Sequence, residues 1–135
     1  MASLTLLPAD AGDTVGSAST PPVIHIVDHY TARMVTKASC PAIPNAYMSV
    51  LPNVYQQKGD LGGEFEVVFV GAFEIPCDGE KHAVRHPMFN DSNDTENDTL
   101  HPGVGFADVI WSVCTPEGCE RGGSQPLRSI IVSDR

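Results

Sequence analysis

The stretch Glu64–Ile75 reads Glu-Phe-Glu-Val-Val-Phe-Val-Gly-Ala-Phe-Glu-Ile, with Phe65, Val67, Phe69, Phe73 and Ile75 all at odd positions. A side-chain period of two is that of a β-strand, and it turns all of these residues to one face. The opposite face carries Glu64, Glu66 and Glu74 towards its ends but Val68, Val70 and Ala72 in the middle. The pattern predicts a central strand covered on both sides.

The rest of the chain fits a β fold around it. The 11 Pro and 12 Gly punctuate the sequence, and no long window of helix formers repeats at 3.6 spacing. Val23–Val35 reads as one strand interrupted by Asp28. Ala46–Gln57 reads as another, which Pro52 demotes to an edge or splits at a bulge. A short strand over His82–Phe89, one over Gly105–Val113 and a closing one over Leu127–Val132 follow, with a Gly-rich turn at Glu120–Ser124. Turn signals between strands that are apolar on both faces predict a compact antiparallel β-sandwich, with a small β-barrel as the alternative. Residues 1–22 are small, polar and aperiodic, so they are expected as an extended N-terminal arm ahead of one domain spanning 23–135.

Charge and hydropathy exclude several partners. Eight Lys+Arg against 17 Asp+Glu give a net charge of −9, a field that repels nucleic acid and anionic lipid. The longest apolar runs are broken within a few residues by His, Asp, Glu or Gly, so no transmembrane span is expected. The N-terminus lacks the basic and apolar regions of a signal peptide as written. A chain of 135 residues is long enough to fold without a metal or disulfide.

The cysteines nevertheless point to an oxidising setting. Four of them, Cys40, Cys77, Cys114 and Cys119, allow three pairings. The most economical joins Cys114 to Cys119 across the turn Thr115-Pro116-Glu117-Gly118, and Cys40 to Cys77 between segments. The alternative is four reduced, partly buried thiols.

The loop Asn90–Thr99 is the richest polar feature. Asn90-Asp91-Ser92, Asn93-Asp94-Thr95 and Asn97-Asp98-Thr99 each fit the glycosylation sequon, making Asn90, Asn93 and Asn97 candidate acceptors. Asp91, Asp94, Glu96 and Asp98 could offer oxygen ligands to calcium, but neither the glycine nor the alternate spacing of an EF-hand is present. Otherwise this is a solvated polar loop. His25 and His29, four residues apart on one strand, would stand roughly 13 Å from each other, too far to share an ion. His82, His86 and His101 would have to converge to bind a metal. Neither a Gly-x-Ser-x-Gly elbow nor a Gly-rich phosphate motif occurs, and Trp111, alternating with Val109 and Val113, reads as core. The expectation is therefore a non-enzymatic protein with no catalytic, cofactor or metal residues. It would serve as a structural or assembly protein, such as a viral or phage capsid-associated (decoration) protein that contacts like copies through its arm and loops. Its place would be a virion or another extracellular assembly. The alternative is a secreted, disulfide-bonded and glycosylated recognition module of the effector or adhesin type.

Overall fold

The structure, a computed structural model, describes residues 14–57 and 65–134. Nine strands are formed among them: β1 (Ser17–Ser19), β2 (Val23–Ile26), β3 (Thr31–Ser39), β4 (Tyr47–Gln57), β5 (Phe65–Val70), β6 (Phe73–Pro76), β7 (Lys81–Asn90), β8 (Gly103–Thr115) and β9 (Gly118–Ser133). Hydrogen-bonded neighbours run β3-β2-β9-β8-β4-β5-β7, and β7 pairs back onto β3. Seven strands thus close on themselves. The all-β fold takes the barrel form rather than two separate sheets, with β1 pairing β3 and β6 pairing β4 as extra strands. Closure removes the free edges that a sandwich would leave.

Among the described residues every strand pairing is antiparallel except one. β2 and β9 run parallel, with Val23 opposite Ile131 and His25 opposite Ser133. The interior is filled by two clusters of side chains. One gathers Ile24, Met34, Val54, Val67, Phe69 and Met88, while the other gathers Met48, Val50, Ile75, Val109 and Trp111.

Several expected elements are redrawn. The stretch expected as one central strand is split at Gly71-Ala72 into β5 and β6, which pair with the two halves of β4. Its odd residues keep their inward face, and Phe69 is fully buried. The other face is less covered than expected: Val68 and Val70 are half-buried and Ala72 is exposed. Glycine is required at the break by close approach, since a Cβ on Gly71 would lie 2.5 Å from Met88 Sδ and 2.9 Å from the Pro87 carbonyl oxygen.

Pro52 makes β4 neither an edge nor two strands. β4 lies between β8 on one side and β5 with β6 on the other. The Pro52 carbonyl accepts from Gly71 N at 3.1 Å. In an extended strand the N–H that proline lacks would point to that same side, at the break between β5 and β6, so the ladder with β8 on the other side is kept.

Val23–Val35 is a hairpin rather than one strand. Asp28 does not interrupt an apolar face; it makes the turn, its Oδ1 accepting from Tyr30 N (2.9 Å), Thr31 N (2.9 Å) and Thr31 Oγ1 (2.8 Å). The Gly-rich stretch Glu120–Ser124 is part of β9, with bulges between Arg121 and Gly123 and between Gln125 and Arg128. Glycine is required there by close approach: a Cβ on Gly122 would stand 2.6 Å from Trp111 Cδ1. The strands at His82–Phe89, Gly105–Val113 and Leu127–Val132 are all present but longer, because the register extends to both strand ends.

Candidate functional site

On a barrel wall every second side chain faces outwards. Along β3 the outward residues include Arg33, Val35 and Lys37; along β7 they include Lys81, Arg85 and Phe89. The register sets Arg85 opposite Val35 and Lys81 opposite Ser39. Arg33 is therefore diagonal to Arg85, and Lys37 is diagonal to Lys81. Diagonal neighbours stand about 7–8 Å apart, and the two pairs are separated by roughly 13 Å of strand. All four cations are exposed.

This concentration is unusual for the molecule. The described residues hold six Lys and Arg, and four of them lie on this face, while neither β3 nor β7 contains a single Asp or Glu. Among the described residues the four cations form no ion pair; the one salt bridge present joins His82 Nε2 to Asp78 Oδ1 at 3.1 Å, at the margin of the face. Four like charges without counter-charges repel one another, and an anion laid across them relieves that repulsion.

Two shallow grooves run beside these cations, where the chain between β1 and β2 passes through Thr20-Pro21-Pro22. The first, about 320 Å3, is lined by Pro21, Val23, His25, Arg33 and Arg85. The second, about 430 Å3, is lined by Ser17, Ser19, Lys37, Lys81 and His82. His25 Nδ1 is buried without a hydrogen-bond partner at the first groove. Beyond Arg33 and Arg85 the face continues into exposed apolar residues, Tyr30 at 50% and Phe89 at 52% exposure. It ends at the acidic loop 91–98.

That loop is held in place rather than simply solvated. Asp91 N donates to the Val68 carbonyl at 2.7 Å, and Ser92 Oγ accepts from Val68 N at 2.9 Å, continuing the pairing of β7 with β5. Of the three sequon asparagines, Asn90 spends its side-chain amide internally, donating to the Asp98 carbonyl at 2.9 Å. Asn97 is exposed, with its Nδ2 donating to Asp94 Oδ2 at 2.7 Å. Asn93 is exposed at the tip.

The cysteines lie in two pairs, Cys40 with Cys77 and Cys114 with Cys119. The first ties the end of β3 to the end of β6. The second spans the hairpin of β8 and β9, whose two-residue tip is Pro116-Glu117.

The histidines are not brought together. His29 Nε2 donates to the Thr95 carbonyl at 2.8 Å, pinning the acidic loop to the β2–β3 turn. His86 is buried, donating from Nδ1 to the Pro87 carbonyl at 3.2 Å and accepting at Nε2 from Thr36 Oγ1 at 2.7 Å. Burial pushes its pKa below the ordinary histidine value, against a smaller upward effect of the Pro87 carbonyl. His101 lies in the loop before β8, where its backbone N–H donates to Gln56 Oε1 at 2.9 Å. Among the described residues no three His, Cys, Asp or Glu side chains converge as metal ligands. Two exposed carboxyls are held below the usual carboxylate range: Asp28 chiefly by the Thr31 hydroxyl, and Asp78 chiefly by the Glu80 N–H and then by His82.

No family model and no curated protein matches the chain. Among solved structures, AggA, the major subunit of aggregative adherence fimbriae type I from Escherichia coli, is similar at 10% identity. That alignment covers 87% of this chain and 92% of AggA with a TM-score of 0.38, a value at which two chains need not share a fold.

The four cations were open to discovery in the sequence. Arg33 and Lys37, like Lys81 and Arg85, are four residues apart, and an even spacing on a strand puts both on one face. That β3 and β7 lie side by side depends on barrel closure, which no local signal carries.

Proposed function

We propose that this chain is a non-enzymatic building block of an extracellular assembly, joining like copies through its N-terminal segment and loops. The observation that carries the reading is the seam of the barrel. Residues 15–26 fill the slot between β3 and β9, with β1 on one end of β3 (Ser17 opposite Ser39) and β2 on the other (Ile26 opposite Ala32). Between them the ladder lapses. Thr20 is held by side chains instead, its N and Oγ1 donating to Gln125 Oε1 at 3.2 and 2.9 Å, and its carbonyl accepting from Arg128.

A closing strand interrupted by Pro21-Pro22 and flanked by the small residues Ser17-Ala18-Ser19 buries little of its own surface where it begins. The same slot on a neighbour offers identical contacts, so exchange between copies loses little enthalpy and extends the assembly. The two disulfides favour an oxidising compartment, outside the cytosol. A virion surface is one such setting.

Analytical ultracentrifugation tests this directly. The full chain is expected to show concentration-dependent species above the monomer, and a chain lacking residues 2–22 is expected to lose them while circular dichroism still reports β structure. A second variant avoids truncation: Ser17→Cys with Ser39→Cys, which face each other in the ladder, locks the segment into its own barrel and should remove the species linked by exchange. A full chain that stays monomeric at every concentration, or a locked chain that assembles as before, overturns the proposal.

A second reading, a secreted glycosylated recognition module, is favoured by the exposure of Asn93 at the loop tip. Intact mass after expression through a eukaryotic secretory pathway decides it: a mass with no added glycan removes it.

A further inference from the structure

We infer that the cationic face of β3 and β7 is the receptor surface for the acidic loop 91–98 of a second copy of this chain. This rests on the assembly reading above and supplies the contact that orients the copies.

The first support is the separation of charge along one face. Arg33, Arg85, Lys37 and Lys81 stand exposed and unpaired by any carboxylate among the described residues, in a chain of net charge −9. The complementary charge is carried by the same molecule at the end of the same face, where Asp91, Asp94 and Glu96 are exposed. Within one copy the two regions are kept apart by β7 itself, which runs from Lys81 to Asn90 before the loop begins. Between copies nothing separates them.

The second support is the shape and chemistry of the intervening surface. Tyr30 and Phe89, each about half exposed, lie between the acidic loop and the arginines, and Val35 lies between the arginine pair and the lysine pair. Exposed aromatic and aliphatic groups flanked by opposite charges suit an interface with an apolar centre and a charged rim. The loop is a suitable insert because it is already ordered: Asp98 N donates to the Asp94 carbonyl at 2.8 Å, Asp94 holds Asn97, and His29 holds Thr95. A pre-ordered loop loses little conformational freedom on docking. Because donor and receptor are different patches of one surface, repetition of the contact builds a chain of copies unless the rotation closes it into a ring or a reciprocal pair.

The test uses charge reversal in the intact, oxidised protein. Arg33→Glu with Arg85→Glu removes the receptor, and Asp94→Lys with Glu96→Lys removes the insert. Each double variant alone should associate more weakly than the parent by on the order of tenfold or more at low salt. Mixed together, the two should recover a 1:1 complex, since one still has an acidic loop and the other a cationic face. Raising the salt until the Debye length falls to about 3 Å, at roughly 1 M, should dissolve both the parent contact and the recovered complex. Recovery on mixing is a readout that a merely structural role for these residues would not give.

Assembly of the parent with no effect of either double variant overturns this inference and leaves the N-terminal exchange standing. A parent that is monomeric throughout overturns both. Retention of a monomeric parent on a sulfated polysaccharide resin, lost in Arg33→Glu/Arg85→Glu, would identify a foreign polyanion as the occupant instead and likewise overturn the proposal.

Discussion

Trp111 Nε1 donates to the carbonyl oxygen of Val15 at 2.8 Å, a hydrogen bond across 96 positions of sequence that fastens the start of the seam to the wall of the barrel. Beside it Val15 N donates to the Gly122 carbonyl at 2.8 Å. The indole lies against the backbone of Gly122 and Gly123, so one side chain joins β8, β9 and the N-terminal segment. Trp111→Phe keeps most of the buried area but removes the donor. It should cost about 1–2 kcal/mol in urea unfolding, and it should expose the chain before Ser17 to limited proteolysis sooner than in the parent.

Phe69 is fully buried in the first core cluster, with 0% of its surface in contact with solvent. Phe69→Asp places a carboxylate among Ile24, Val67 and Met88 and should cost ~3 kcal/mol or more. An unchanged thermal midpoint would show that the core is built differently.

The buried His86 makes stability depend on pH. Its pKa is lowered in the folded protein, so the unfolded chain binds the proton more readily and stability rises with pH. The contribution is complete above the ordinary value of about 6.5 and is lost as pH falls from there towards the lowered folded value. Urea midpoints should therefore fall between pH 7.5 and pH 5.5, about one unit either side of that value, and His86→Phe should flatten this part of the profile. Asp28 and Asp78, whose folded pKa values are also lowered, act in a different window: their contribution holds above 3.8 and is lost only in stronger acid.

The two disulfides differ in what they constrain. Cys40–Cys77 closes a loop with a sequence separation of 37, whereas Cys114–Cys119 closes one of 5. By loop-closure entropy, Cys40→Ser with Cys77→Ser should cost about 3–4 kcal/mol and Cys114→Ser with Cys119→Ser about 2 kcal/mol. Equal losses in denaturant melts of the two double variants would show that something other than loop length decides.

The residues whose neighbours in sequence set their environment were legible before the structure. The alternation of Phe65, Val67, Phe69, Phe73 and Ile75 gives their inward face, and the Cys114–Cys119 spacing around Pro116 marks a hairpin. What failed to show depends on distant partners. Val27, His29 and Tyr30 look like strand residues, and only the side chain of Asp28, turned back on Tyr30 and Thr31, makes a turn of them. The glycines of 120–124 resemble a loop because nothing local reveals that Trp111 lies across them. Pro52 resembles an edge residue because its missing N–H is harmless only opposite the Gly71 break. The cationic face was legible strand by strand, as even spacings, but not as one surface.

The parallel pairing of β2 with β9 also sets an order of events. The slot that receives Val23–Ile26 has Gly118–Ser133 as one wall, and that wall comes after all the other described strands in the chain. The earliest described residues must therefore wait, unpaired on that side, until Gly118–Ser133 has followed them. Long-range closure of this kind slows folding and lengthens the time for which an open barrel is exposed to its neighbours. The interval between formation of the first strand and arrival of the last is the period in which one copy's segment can meet another copy's empty slot, so the concentration of copies during folding would set how many of them end linked.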